Sequence, residues 1–436
     1  MNEYPNVIKG TLSSLISEMS GTAALFVKNP GKDFTRDRKL PFEIVVQLLI
    51  SMGGNSIYKE LLESQGYDLN TATTSAFVQQ RDKILPFAFE FLLREFTESF
   101  SDVKTYRDYR LLAADGSALH IATNPHDPQT FFQNRPDEKG YNLLHLNAMY
   151  DLCNRIYVDA LIQPGRYINE PKALVDMIRR SPIKDHVIVI ADRNYENYNN
   201  FAHIEQRGWN YLIRVKDLDS NGILSTLNLP GGEFDICIQR VLTRKQTKEV
   251  MTRPDIYKFM PANQGFDFLD LRTDQLYPMS FRVVRFKITD NSFETVITNL
   301  DSSAFPPLEL KKLYKMRWGI ETSFRELKYA VGLASFHAKK RDYIVQEVFA
   351  RIVMYNFAEM ITSHVVISQA GLKHAYQVNF TVAIHISRHF LRLWNNIPPP
   401  DVEALIRKNI LPIRPDRRDK RKIRSKTAVS SIYRVA

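Results

Sequence analysis

The stretch "LKKLYKMRWGIETSFRELKYAVG", residues 310–332, holds the residue types best suited to chemistry. Wound as an α-helix at about 100° per residue, Tyr314, Arg317, Glu321 and Lys328 share a stripe about 60° wide, with Arg325 and Trp318 at its margin. Beside the stripe, Leu313, Met316, Ile320, Phe324 and Leu327 form an apolar band. A carboxylate held next to a core suits a metal ion, and cations around it suit a phosphate-bearing substrate. The same wheel also describes an amphipathic helix with a solvated charged face, so the stripe needs partners elsewhere in the chain.

Two aspartates are the candidates. "YRLLAADGSALHIA" reads as a strand with Asp115 inside it, and "HVIVIADRNY" as a buried strand ending in Asp192. Around them, "YNLLHLNAMYDLCNRIYVDALIQPG" predicts two strands joined by a tight turn at Cys153–Arg155. "NEPKALVDMIRRS" predicts a helix capped by Asn169 with Pro171 in its first turn. A helix across "ENYNNFAHIEQRG" and a strand at "WNYLIRVK" complete the set. Three strands, a helix, a strand, a helix and a strand predict an α/β layer of the ribonuclease H type, residues 105–216. In that layer the first and fourth strands are neighbours, which brings Asp115 and Asp192 together. With Glu321 they form a three-acid site able to hold two Mg²⁺ ions about 3.5–4 Å apart, opening onto a nucleic-acid groove. Each acid alone has a structural reading too: "ADG" is a common turn sequence, and an Asp at a strand's end often caps the next helix.

The rest of the chain frames this layer. Residues 1–104 read as helical, with the basic connector "KNPGKDFTRDRKLP" and a Ser/Thr/Gln/Arg helix that could enter a DNA groove or serve only packing. Residues 217–300 alternate in the β manner and predict a β-rich insertion. The Glu321 helix completes the core over 301–345, and 346–436 return to helical spacing before a break at "NNIPPPD". His120, His145, His337 and His364 lie in apolar-looking segments and read as core histidines, with His337 close enough to the Glu321 helix for DNA contact to stay open.

Composition agrees with an ordinary globular chain: 436 residues, 44% hydrophobic and 25% charged. No apolar run is long enough to span a bilayer, and the N-terminus shows no secretion signal. Cys153 and Cys237 lack ligand-like neighbours, so neither a zinc site nor a disulfide framework is expected, and a reducing cytoplasm is the expected setting. The formal charge of +11 favours a polyanionic partner. Between Arg414 and Lys426 eight basic residues face two aspartates, a tail expected to track phosphates.

"LYKMRWGIETSFRELK" fits the signature Y-(2)-R-(3)-E-(6)-K, and "AADGS" and "ADRNY" look like the accompanying first and second Asp motifs. In these segments, and over roughly residues 30 to 360, the chain resembles DDE transposases of bacterial insertion sequences, specifically the insertion-sequence-four family. The resemblance implies a cut-and-paste transposase with a ribonuclease H-like core. It would bind terminal inverted repeats as a homodimer, cleave phosphodiester bonds with two Mg²⁺ (or Mn²⁺) ions and join the 3′-OH ends to target DNA. Asp115, Asp192 and Glu321 match the metal-binding triad. Tyr314, Arg317 and Lys328 match the positions that contact DNA phosphates, and Arg325 and Arg193 join that set. For Trp318, closing the core edge is the stronger reading and stacking on a displaced base the weaker. No nucleotide cofactor is implied, in keeping with the absence of a G-x-x-x-x-G-K-[ST] loop from the sequence. A ribonuclease H-like nuclease without strand transfer and a non-enzymatic, domesticated DNA-binding protein are the rival readings.

Overall fold

The structure is a computed structural model that describes residues 2–36, 38–218, 220–290, 292–369, 374–393 and 398–413. The basic run 414–426 lies outside the described residues.

Five helices open the chain: α1 (Glu3–Gly21), α2 (Phe42–Ser51), α3 (Ile57–Ser64), α4 (Thr74–Arg81) and α5 (Phe87–Glu98). The Thr-rich start of α4 serves as its cap, the Thr73 hydroxyl accepting the Ala76 N–H at 3.2 Å. The α/β layer comes next. Strand β1 (Arg110–Ile121) is followed by the short β2 (Phe131–Phe132), then by β3 (Tyr141–Asp151) and β4 (Ile156–Pro164). Asp151 shapes the turn between β3 and β4, its Oδ1 accepting the Cys153 and Asn154 N–H groups at 3.0 and 2.9 Å. Helix α6 (Glu170–Arg180) is capped by Asn169, which accepts the Lys172 N–H at 3.0 Å. Strand β5 (Val187–Ala191), helix α7 (Tyr198–Gln206) and strand β6 (Asn210–Val215) complete the layer.

The order β4–β3–β1–β5–β6, with β1, β5 and β6 parallel and β3 antiparallel to both its neighbours β1 and β4, is the ribonuclease H arrangement. Every residue of β5, "VIVIA", is buried, as a central parallel strand covered on both faces must be. Next come β7 (Phe234–Thr243), α8 (Lys248–Thr252), β8 (Tyr257–Phe259), β9 (Leu276–Thr289) and β10 (Ser292–Thr298). These strands do not close on themselves. β10 pairs with β6, so the β-rich segment prolongs the core sheet to ten strands among the described residues. α9 (Pro307–Met316), α10 (Trp318–Tyr329) and α11 (Arg341–His364) then return to the layer. The short strand β11 (Tyr376–Val378), α12 (Phe380–Arg392), α13 (Val402–Lys408) and β12 (Ile410–Pro412), which pairs with β11, end the described chain.

Alternation along the strands divides the interior into two cores. Leu111, Ile188, Ile190 and Leu212 face one side and pack with Leu310, Leu313 and Tyr314 of α9. Leu112, Val187, Val189 and Ile213 face the other and share the main core with Ile320, Phe324 and Leu327 of α10.

Helix α11 is the post of that main core, since every residue from Gln346 to Thr362 is buried. A helix buried on all sides must satisfy its polar groups internally. Asn356 does so by accepting the Tyr157 N–H at 2.8 Å and donating to the Tyr157 carbonyl at 2.7 Å. Glu347 accepts from Arg81 of α4 at 3.1 Å, tying the N-terminal helices to the post, and from the His337 N–H at 2.9 Å. Arg81 and Glu347 are only 1% and 2% exposed, so removing one would strand a buried charge. Glu347→Ala should therefore lower the unfolding free energy by about 3–5 kcal/mol in a denaturant titration. A loss below about 1 kcal/mol would mean that the pair does not anchor the helices.

Candidate active site

Strand register sets the first two acids. Ala114 of β1 pairs with Ala191, the last residue of the parallel strand β5; Asp115 follows within β1 and Asp192 follows just after β5. Side chains alternate between the two faces of a sheet, so this register carries both acids to the same face, and the Asp192 charge acts on Asp115. Asp192 lies one residue beyond β5 and caps the turn Arg193–Tyr195, its Oδ1 accepting the Asn194 N–H at 2.9 Å. Both readings of this residue, strand-end acid and cap, therefore apply.

The third acid comes from the helix pair. The sequence predicts one continuous helix; the structure breaks it at Arg317, between α9 and α10. The break has a packing reason, because α9 serves one core and α10 the other. It also corrects the apolar band, in which Met316 is 36% exposed. The break puts Glu321 in the first turn of α10, where the helix dipole favours its charge. It also turns the Arg317 guanidinium, on a residue only 6% exposed, between two acids: Nη1 lies 3.4 Å from Asp115 Oδ2, and Nη2 donates to Glu321 Oε1 at 2.8 Å.

The electrostatics arise from this crowding. Burial raises the Asp115 pKa. The Gly116 N–H and the Arg317 charge oppose that rise, Asp192 and Glu321 reinforce it, and the net value is about 6. Burial also works against the Arg317 charge, but Tyr314, Glu321 and Asp115 outweigh it and hold the guanidinium more firmly protonated. Tyr314 is buried, its pKa pushed up to about 12 chiefly by burial, and its hydroxyl has no hydrogen-bond partner among the described residues. The same holds for Arg317 Nε. Lys328 reaches the next turn of the strand, donating to Ser117 Oγ at 2.7 Å and to the Ala118 carbonyl at 3.0 Å, and burial lowers its pKa.

The remaining residues of the stripe diverge. Trp318 is 54% exposed, against the reading that it closes the core edge, and lies over Arg317 with the guanidinium carbon 5.2 Å from its ring. Arg325 and Arg193 are exposed, and their side chains form no hydrogen bond or ion pair among the described residues. Of the histidines, His145 is buried, whereas His120 and His364 are exposed and His364 stacks on Tyr4.

Sequence reasoning missed the layer behind Asp115. Gly116 is a strand residue, not a turn: a Cβ there would lie 2.2 Å from His145 Nε2 and 2.4 Å from Glu170 Oε1. A glycine inside a strand pattern signals such close approach, and "ADG" carried that signal. The buried Tyr195 completes the layer; its hydroxyl is unpartnered among the described residues, and burial and then the charges of Glu170, Asp115 and Asp192 raise its pKa.

The donor set fits a divalent cation: three carboxylates, hard oxygen donors, gather where burial, with Asp192 and Glu321, disfavours the Asp115 charge. Among the described residues no three His, Cys, Asp or Glu side chains form a preassembled cage, and Arg317 stands between two of the acids. The charge balance is testable. The Asp115 pKa of about 6 lies above its ordinary 3.8, so the unfolded chain releases this proton first as pH rises. The resulting stabilisation is full below about pH 4 and lost by about pH 6–7, a change of about 3 kcal/mol. In metal-free buffer, wild-type stability should fall by that amount relative to Asp115→Asn between pH 4 and pH 7. Parallel stability curves for the two proteins would contradict the burial of Asp115 beside the other acids.

No curated protein sequence matches the chain. Among solved structures, the chain aligns with the piggyBac transposase of a cryo-EM synaptic complex with hairpin DNA, at a TM-score of 0.44 and 11% identity, over 96% of this chain and 88% of that one. The family described as "Transposase DDE domain" matches residues 106–357, more than half of the sequence and the whole span from β1 through the acids into α11. The chain belongs to the transposase DDE domain family.

Proposed function

We infer that the protein is a cut-and-paste DNA transposase of the insertion-sequence-four type. In this reading it cleaves phosphodiester bonds at the ends of its own element and joins the freed 3′-OH groups to target DNA. The observation that carries the reading is the convergence of Asp115 and Asp192, fixed by the β1–β5 register, with Glu321, reached through Arg317.

DDE transposases use divalent metal ions, and here Asp115, Asp192 and Glu321 would hold them. Bound there, such ions would activate the attacking oxygen and stabilise the leaving one. Arg317 has a planar fork suited to a phosphate once its carboxylate partners are otherwise neutralised. The unpartnered Tyr314 hydroxyl, next to it, can donate to a phosphate oxygen without adding charge. Lys328, held by two neutral oxygens, keeps a donor and its positive charge for the DNA backbone. Trp318 and Arg325 offer an exposed aromatic face and an exposed cation at the rim. A dimer on two paired ends would give each end its own set of acids.

The test is a supercoiled donor plasmid carrying the element's ends, incubated with Mg²⁺ or Mn²⁺ and a target plasmid. Cleavage and integration products are expected. Alanine at Asp115, Asp192 or Glu321 should cut cleavage by at least about 10³-fold while end binding, measured by gel shift, persists. Wild-type cleavage with no integration product would favour a nuclease without strand transfer. Equal cleavage by wild type and Glu321→Ala would favour a DNA-binding protein with no activity of its own.

A further inference from the structure

Next to the acids lies a cleft of about 390 Å³, of whose lining residues the transposase resemblance takes up only Arg193. One wall is the turn capped by Asp192, which contributes Arg193 and Asn194; the others are Lys216 just after β6, the loop at Asn221 and Lys258 of β8. We propose that this cleft is a phosphate subsite for the DNA strand on the Asp192 side of the active site. In it, Arg193, Lys216 and Lys258 bind backbone phosphodiesters as the strand passes toward the β-rich segment. The proposal rests on the transposase reading for the identity of the polyanion, but not for the existence of an anion site.

The cleft's charge argues for an anion. The side chains of Arg193 and Lys258 form no hydrogen bond or ion pair among the described residues. The Lys216 ammonium donates only to the Asn221 carbonyl, at 3.2 Å, among the described residues. The acid in the lining, Glu196, has both oxygens committed to the backbone: Oε2 to the Lys216 N–H at 2.8 Å and Oε1 to the Ile223 N–H at 2.6 Å. It therefore clamps the loop, and three cations outnumber it.

A second, independent observation lies behind the wall. Arg240 of β7 is 1% exposed and donates only to neutral acceptors: the Tyr198 hydroxyl at 3.1 Å, Thr226 Oγ1 at 3.0 Å and the Pro254 carbonyl. Its Nε has no partner, and no carboxylate pairs with it, among the described residues. A buried, unpaired guanidinium is costly in isolation, and its field is poorly screened. That field reaches the cleft, since burial and then Arg240 lower the Lys258 pKa. An anion in the cleft would balance Arg240 as well as the three lining cations. The volume is that of a nucleotide-sized ligand rather than a single small ion, and the amides of Asn194, Asn221 and Gln264 suit phosphate and sugar oxygens.

The test compares the full-length wild type with Lys216→Ala/Lys258→Ala and with a control, Lys172→Ala/Lys245→Ala, that removes two exposed lysines elsewhere. Binding of a fluorescent 30-nucleotide single strand and of the matching duplex is followed by anisotropy over a salt series, after circular dichroism confirms that all three proteins are folded. The cleft variant should bind the single strand about tenfold more weakly, with a log–log salt slope smaller by about one, while the control stays near wild type. Equal losses in the two variants, or a cleft variant with the wild-type slope, would overturn the subsite. Inorganic phosphate and a nucleoside monophosphate are titrated in parallel. Cleft-dependent binding of either without a cleft-dependent effect on the strand would also overturn it, in favour of a small-molecule site. If the wild type bound neither DNA form, the transposase reading itself would fail, an outcome distinct from all of these.

Discussion

Three carboxylates drawn to one edge of a sheet repel one another, and the Arg317 guanidinium is what lets them stand there. It reaches Asp115 on one side and Glu321 on the other, while Asp192 adds its charge from the neighbouring strand. Burial, reinforced by the charges of Asp192 and Glu321 and only partly offset by Arg317, raises the Asp115 pKa to about 6. The geometry of the helix pair stems from the same contact. α9 and α10 serve different cores, and the residue at which the chain changes sides is the residue that bridges the acids.

The sheet supplies the precision. Pairing of Ala114 with Ala191 leaves no freedom in the relative height of Asp115 and Asp192, and the buried "VIVIA" strand fixes that register from both faces. Behind Asp115, Gly116 lets His145 and Glu170 close onto the backbone of β1. Farther out, α11 and its satisfied polar groups hold the N-terminal helices against the layer.

Much of this is legible in the sequence. The order of strands and helices from Arg110 to Val215 can be read because each element carries its own period or cap: the apolar run before Asp192, Asn169 with Pro171, and the turn after Asp151. Whatever depends on contacts between distant segments cannot be read. Helical spacing continues smoothly through Arg317, so the change of core that breaks the helix leaves no local mark, and the spacing places Met316 in an apolar band that it does not join. Alternation at 234–298 predicts strands but not their partners, and so hides their joining to β6. The unpaired Arg240 and the cleft in front of it are invisible for the same reason. They exist only once β7 and β8 lie beside the turn after Asp192.

The most direct measurement of the central claim, that these three acids form a divalent-cation site now balanced by Arg317, is Mn²⁺ binding to the full-length protein followed by electron paramagnetic resonance. The account predicts saturable Mn²⁺ binding by the wild type, lost on substituting either Asp192→Asn or Glu321→Gln and retained in a variant altered away from the site. Equal Mn²⁺ uptake by the wild type and both substituted proteins would contradict it.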